Sequence, residues 1–317
     1  MAVTLAQARL NVTDDLQVGI IDEFRKSSYI MEHLPFTDAV SPVGGGATLT
    51  YSYTRLITQP VAEFRKVNAE FGSHEVEKQR YSTDLKIMGG KFDIDRVIAG
   101  MGGIVDEVML QASQKVKATS TLFSDTIING NSSTNEDMFD GLDVAVTGTD
   151  TEFNAGGTAI DLSTTAAIDS NYKAFVDLLD EWTGEMDGIT AYLCNSKMAA
   201  KFRAIARRVG QYQVTMDNFG RKVEHFGDIP FIDLGAKAGS NNPIVGINDG
   251  VTSLYAVRFG MDGFHGVSMA GQPAPMRIIL PKWDTAGAVK QGEVEFIAGC
   301  ALKSTKAAGV LRNIKVQ

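Results

Sequence analysis

The stretch from Ile128 to Leu142, INGNSSTNEDMFDGL, crowds amide, hydroxyl and carboxylate side chains together before it turns apolar, as a ligand loop would. A helix–loop–helix Ca²⁺ site needs oxygen ligands at loop positions 1, 3 and 5, glycine at 6 and glutamate at 12. Counted from Asn129, these fall on Asn129, Asn131, Ser133, Thr134 and Asp140. The first ligand is uncharged and the turn glycine is replaced by Thr134, so the segment reads as a solvated turn. A phosphate loop needs a glycine, four residues, then Gly-Lys-Ser/Thr. Gly90-Lys91-Phe92 puts a phenyl ring where the hydroxyl belongs. Gly44 to Gly46 open a strand pattern rather than a helix, which excludes a dinucleotide fingerprint. Ser268, in GVSMAG, lacks the second glycine of a nucleophile elbow. His33, His74, His225 and His265 are scattered, with no His-Glu-x-x-His. Cys194 and Cys300 stand far apart in apolar surroundings and read as buried free thiols. No cofactor or metal is expected, and the reading is of a non-enzyme.

The totals agree with a soluble globular chain: 317 residues, 44% hydrophobic, 21% charged, net charge −8. That balance gives no global reason to wrap nucleic acid. The start has no charged n-region before an apolar core, and no run is long enough to span a membrane. Synthesis in a reducing cytoplasm is the expectation.

The elements that would position any site divide clearly. Residues 4–31 have amphipathic helical spacing broken near NVTDD, the pattern of an arm, and EHLPFTDAVSPVGGGATL reads as loop. TLTYSYTRL places Leu49, Tyr51, Tyr53 and Arg55 on one face, and EKQRYSTDLKI places Tyr81, Thr83, Leu85 and Ile87 on one face. Period two means strand, so the two make a long hairpin with a mixed-charge tip. A lone hairpin is marginal in water, and little nearby offers it a sheet, which points to support from another subunit. From Ile104 to Ile128 the period becomes helical, and Asn129-Gly130 is expected to end the helix in a left-handed turn. Between Glu136 and Asp187 the only base is Lys173. Ile168, Tyr172, Phe175, Leu179, Trp182 and Met186 then mark a second helix, ITAYLCN a buried strand, and SKMAAKFRAIARR a helix capped by Asn195 or Ser196. Three further strands, IPFIDLG, NPIVGIND and TSLYAVRFG, complete an α/β block, and two strand runs follow in the tail.

This order of parts resembles the major capsid protein of tailed bacteriophages, with the Hong Kong 97-type fold. The resemblance is carried by MEHLPFTDAVSPVGGGATLTYSYTRL at the arm-to-hairpin transition and TLFSDTIINGNSSTNEDMFDGL at the end of the long helix. ITAYLCNSKMAAKFRAI and IAGCALKSTKAAGVLRNIKV carry it further along. It implies an α+β fold in five parts: N-terminal arm (1–43), extended hairpin loop (44–92), peripheral domain with its spine helix (93–138), axial domain (139–270), and return strands to the peripheral domain (271–317). The hairpin would lie across a neighbouring subunit. Tyr51, Tyr53, Arg55, Phe64, Arg65, Lys66, Lys78, Arg80 and Tyr81, with Trp283 and Asp284 in the tail, are the candidate inter-subunit contacts. Asn129, Gly130, Phe139, Gly141 and Leu142 are the candidate domain joint. Implied partners are further copies of the chain in hexamers and pentamers, a portal protein, a separate scaffolding protein, a decoration or cement protein, and packaged double-stranded DNA bound without sequence specificity. Lys66 or Lys78 has no matching partners for a covalent cross-link, and none is expected. The implied location is the capsid of a virion. An encapsulin shell around a cargo enzyme and a soluble α/β enzyme are the alternatives.

Overall fold

A computed structural model describes residues 29–40, 48–58, 60–101, 106–216, 220, 222–270, 276–284 and 286–317. The arm pattern before Tyr29 and the triple glycine lie outside them. The elements run α1 (Tyr29–His33), β1 (Phe36–Val40), β2 (Thr50–Leu56), β3 (Lys78–Asp84), β4 (Lys86–Asp95), α2 (Arg96–Gly100) and α3 (Glu107–Asn129). There follow α4 (Leu142–Val146), β5 (Glu152–Phe153), β6 (Ile160–Asp161), α5 (Thr165–Gly184), β7 (Ala191–Cys194), α6 (Ser196–Val209), β8 (Tyr212–Met216), β9 (Lys222–Phe226) and β10 (Ile229–Asp233). The last are β11 (Ile247–Asn248), β12 (Val251–Val257), β13 (Phe264–Met269), β14 (Met276–Ile279), β15 (Val289–Leu302) and β16 (Ala308–Lys315).

Among the described residues, three sheets result. One has the order β1-β13-β15-β14, with β4 also on β15. A nine-stranded sheet runs β5-β16-β12-β7-β10-β9-β8, with β6 on β16 and β11 on β12. β2 and β3 form the third alone. In the large sheet β7 and β10 are parallel and joined through α6, so the expected α/β block is present.

The long helix α3 begins where Asp106 accepts hydrogen bonds from the Val108 and Met109 amides. Its buried side differs from the apolar stripe expected. Met109 is exposed, whereas Thr119, Thr121, Ser124 and Thr126 are buried with Phe123, Ile127 and Ile128. Each of those four hydroxyls donates to a carbonyl one turn back, on Lys115, Lys117, Ser120 and Leu122, so its burial leaves nothing unsatisfied. α5 is capped by Thr164 and buries Ile168, Phe175, Leu179 and Trp182, as their spacing requires. α6 is capped by Asn195, whose Oδ1 accepts from the Met198 amide while its Nδ2 donates to Val245 O and Thr252 Oγ1. Gly210, at φ 80°, closes the helix in the left-handed region.

Trp182 is the largest fully buried side chain of the α5 layer, and its indole N–H donates to Thr151 O at 2.9 Å. Trp182→Ala is expected to lose about 3–5 kcal/mol, because it opens a cavity and removes one of the two donors to that carbonyl, which the Val310 amide also serves. Denaturant unfolding would show it as a lower midpoint at unchanged slope.

Three expectations need correcting, and one element was missed. Residues 36–40 form β1 rather than loop, parallel to β13, because Gly266 leaves room for the Phe36 ring against its backbone. The tail does not return as a unit: β15 joins the smaller sheet, while β16 lies inside the nine-stranded one between β12 and β5. β13, within the range 139–270, belongs to the smaller sheet. The β8–β9 hairpin was not anticipated, since its exposed residues show no clean alternation.

Candidate inter-subunit surface and domain joint

The hairpin has the faces its sequence predicts. β2 and β3 are antiparallel, with Tyr51 opposite Thr83, Tyr53 opposite Tyr81 and Arg55 opposite Gln79. The Tyr53 and Tyr81 rings stack at 6.0 Å, and the Arg55 guanidinium lies 4.2 Å from the Tyr81 centroid. That aromatic face packs on the subunit's own small sheet. Tyr51, Tyr53 and Leu49 cluster with Val40, Leu85, Val267 and Ala301. Tyr53 donates to Leu302 O at 2.8 Å, and Arg55 donates to Leu302 O and, at 3.0 Å, to Lys303 O. Burial pushes the Tyr53 phenol above its ordinary pKa, with Arg55 pulling the other way. So Tyr51, Tyr53 and Arg55 anchor the hairpin base within the subunit, and the expectation that the hairpin lacks internal support is corrected for this half.

The distal half leaves the body. Ile57 N donates to Glu77 O and Glu77 N to Thr58 Oγ1, which closes the ladder. Beyond that point every described residue is exposed. Arg65 donates to Ala69 O at 3.1 Å and lies 5.4 Å from the Phe71 ring, so the tip has local order. Phe64 is 107% exposed, Val67 90%, Val61 66% and Phe71 62%, an apolar surface left open to solvent among the described residues. Lys66, Lys78 and Arg80 are exposed beside it, Arg80 donating to Ser52 Oγ at 3.0 Å. Monomeric proteins seldom carry such a surface on a projecting arm. Phe64→Asp is expected to leave unfolding stability within about 0.5 kcal/mol. In any assembly that seats the tip on a neighbour, the same change should weaken each contact by about 1–2 kcal/mol, measurable as a higher concentration threshold for assembly.

Elsewhere, Trp283 is exposed on the wall of a shallow recess of about 270 Å³ with Arg96, Ala99, Gly100, Gly287 and Lys290. Its neighbour Asp284 is exposed. Neither is near the hairpin's own anchors, so the tail candidates form a separate patch.

The joint is a closed loop. Gly130 N donates to Thr126 O, and Gly141 N donates to Gly130 O at 2.9 Å, so the loop's two ends touch. Its oxygens serve the turns themselves: Asp140 accepts from Ser132 N, Asn131 from Ser133 N and Asn135 from Asp137 N. Asn129 donates to Asp125 and, at 2.8 Å, to Ile244 O. Among the described residues no group of three His, Cys, Asp or Glu is placed to hold a metal ion. The expected left-handed ending is corrected, since Gly130 has φ −59°. Glycine is needed there for space. A Cβ on Gly130 would lie 2.3 Å from Phe139 O, and one on Gly141 2.6 Å from Thr126 O. Phe139 and Leu142 enter one core with Phe123 and Ile127, which also takes Phe296 and Cys300 from the small sheet and Leu193 and Val310 from the large one. The joint is therefore packed between both sheets.

Three features escaped the sequence. Arg312 pairs with Asp143 at 2.9 Å and with Glu152, and Asp143 also accepts from Tyr255 OH at 2.9 Å. Burial opposes the Arg312 charge, but Glu152 and Asp143 more than offset it and raise its pKa. The network ties α4 to β5, β12 and β16. His265 is buried, with neither ring nitrogen hydrogen-bonded. A polar recess of about 730 Å³ opens at the carboxyl ends of β7 and β10, lined by Lys197, Asp233, Lys237 and Asn242 among others. It has no histidine, cysteine or glutamate in its wall.

No protein-family model matches the chain. No curated protein is similar to it in sequence. Solved structures match over nearly its whole length. The encapsulin of the holo-SrpI complex from Synechococcus elongatus PCC 7942 has a TM-score of 0.68 at 15% identity, over 100% of this chain and 98% of that one. The capsid of a native GTA particle has 0.66 at 14%, over 99% and 100%. The capsid of Myoviridae phage XM1 has 0.56 at 15%, over 98% and 99%. The chain thus has the Hong Kong 97-type capsid fold of the phage major capsid proteins, a mixed α+β fold.

Proposed function

We propose that the chain is a structural shell subunit, a major capsid protein that assembles into the hexamers and pentamers of an icosahedral phage head around double-stranded DNA. The observation that carries this reading is the hairpin: anchored at its base by Tyr53 and Arg55, and, among the described residues, presenting Phe64, Val67 and Phe71 to solvent. An arm of this kind gains by lying on the next subunit. Repeated around a rotation axis, such head-to-tail contacts close into rings, and a shell makes modest contacts cooperative. On this reading residues 59–76 and the Trp283 patch are inter-subunit surfaces. Portal, scaffolding and decoration proteins are further partners, and the role is non-catalytic. A net charge of −8 limits adhesion of DNA to the wall.

A second reading is favoured by one observation: the encapsulin chain is as similar in fold as the capsid chains. The contents of purified particles separate the two. Nuclease-protected double-stranded DNA in particles from the native source supports the head. A co-purifying enzyme inside DNA-free shells supports the encapsulin and overturns the first reading. A monodisperse monomer overturns both.

A further inference from the structure

Among the described residues, two side chains bury a polar atom without a hydrogen-bond partner: Arg258 through Nε, and His265 through both ring nitrogens. Such atoms are rare in native proteins. His265 is the more extreme, with no exposed surface, and it sits at a mechanical position. It lies on β13 opposite Ala301 of β15, and the Tyr51 ring of the hairpin base meets it edge-on, with centroids 5.8 Å apart and planes at 87°. The hairpin base therefore closes over the imidazole.

The groups around it favour the neutral ring. Burial, then Lys303 just beyond β15, lower its pKa to about 4. Asp262, in the turn before β13, and the Gly263 carbonyl pull the other way, without a hydrogen bond of normal geometry. β2 brings the Tyr51 and Tyr53 phenols and Arg55, whose guanidinium is held on Leu302 O and Lys303 O. β1 brings only Asp38, which is exposed.

We propose that His265 is a proton-operated latch for the hairpin: neutral, it lets the base seat on the small sheet; protonated, it forces the base to lift so that the imidazolium reaches water. A positive charge under Tyr51 would be buried beside Lys303, with only the poorly aligned Gly263 carbonyl to accept from it. The docked ring binds its proton at lower pH than a freed one, whose ordinary value is about 6.5. Docking is therefore at full strength above that value. It weakens as pH falls toward the docked value, by roughly tenfold per pH unit. The latch works inside one subunit. Only its consequence, an acid-dependent change in how the hairpin meets a neighbour, rests on the shell reading.

Pulsed amide hydrogen exchange on the purified full chain tests it. Between about pH 7.5 and pH 4.5, opening of β2 and β3 relative to the β12–β16 pair should rise roughly 100-fold. His265→Phe keeps a ring beneath Tyr51 but takes no proton, and should abolish the rise; His265→Gln should do the same. An equal rise in a folded variant, or no rise in the unaltered chain, overturns the latch. Should neither variant fold, exchange at the imidazole C–H of the unaltered chain decides. A midpoint for His265 near 4 supports the latch, and one near the ordinary value overturns it. Particle formation is scored at neutral pH in the same preparations. Shells with no acid response count against the latch alone, and an acid response without shells counts against the shell reading alone.

Discussion

Replacing residues 59–76 with a short Gly-Ser turn is expected to abolish assembled particles while leaving the subunit folded. The cut falls beyond the last ladder contacts, where Ile57 N meets Glu77 O and Glu77 N meets Thr58 Oγ1. Everything that fastens the hairpin to its own body, Tyr51, Tyr53, Arg55 and Leu85, is retained. The removed residues are exposed wherever they are described, so their loss uncovers no core. Shortening the loop also lowers its closure entropy slightly. The expected readings are an unchanged unfolding midpoint and, by sedimentation, loss of fast-moving particles. A larger cut from Tyr51 to Ile87 is a poorer experiment. It strips the cover from His265 and from the Val267–Ala301 cluster, and would confuse misfolding with failed assembly.

The second large effect is expected at the joint. Gly130→Ala should destabilise the chain by about 2–3 kcal/mol, the range for forced overpacking. Its φ of −59° and ψ of 137° suit alanine, so the cost is steric alone: the added methyl would meet two carbonyl oxygens, of Phe139 and Thr126. Neither oxygen can yield easily. Thr126 O accepts the Gly130 amide, and Phe139 is held in the core between the sheets. Gly184→Ala is the control. A Cβ there meets nothing within 4 Å, at the end of α5, and the change should be neutral or stabilising by up to about 1 kcal/mol. Equal losses at both positions, measured by chemical denaturation, would contradict the packed joint.

Much of this was legible in the sequence, where local periodicity decides the outcome. Tyr51, Tyr53 and Arg55 alternate, and they do share a face; α5 buries Ile168, Phe175, Leu179 and Trp182 of the six residues its spacing marks, and α6 carries the Asn195 cap expected of it. What periodicity cannot say is which surface a face meets. The Tyr53–Arg55 face was assigned to a neighbour and instead meets Leu302 and Lys303, almost the whole chain away in sequence. β1 was hidden by Pro35 and Pro42 on either side, and it exists because β13 supplies a parallel edge and Gly266 supplies room. The split of the tail between two sheets depends on long-range pairing that no local pattern encodes. The Thr and Ser residues on the buried side of α3 look polar in sequence and are made neutral by the helix's own carbonyls. At the joint, Gly130 was noticed for the wrong reason: close approach of the backbone selects it, and turn conformation does not. His265 looked like one of four scattered histidines until the hairpin closed over it.

The central claim is that residues 59–76 find on a neighbouring copy the surface they lack at home. Electron cryomicroscopy of the purified full chain tests it most directly. Closed shells of hexamers and pentamers are expected, with Phe64, Val67 and Phe71 covered by the adjacent subunit. Monomers or small open oligomers, or shells in which that tip still projects into solvent, would contradict it.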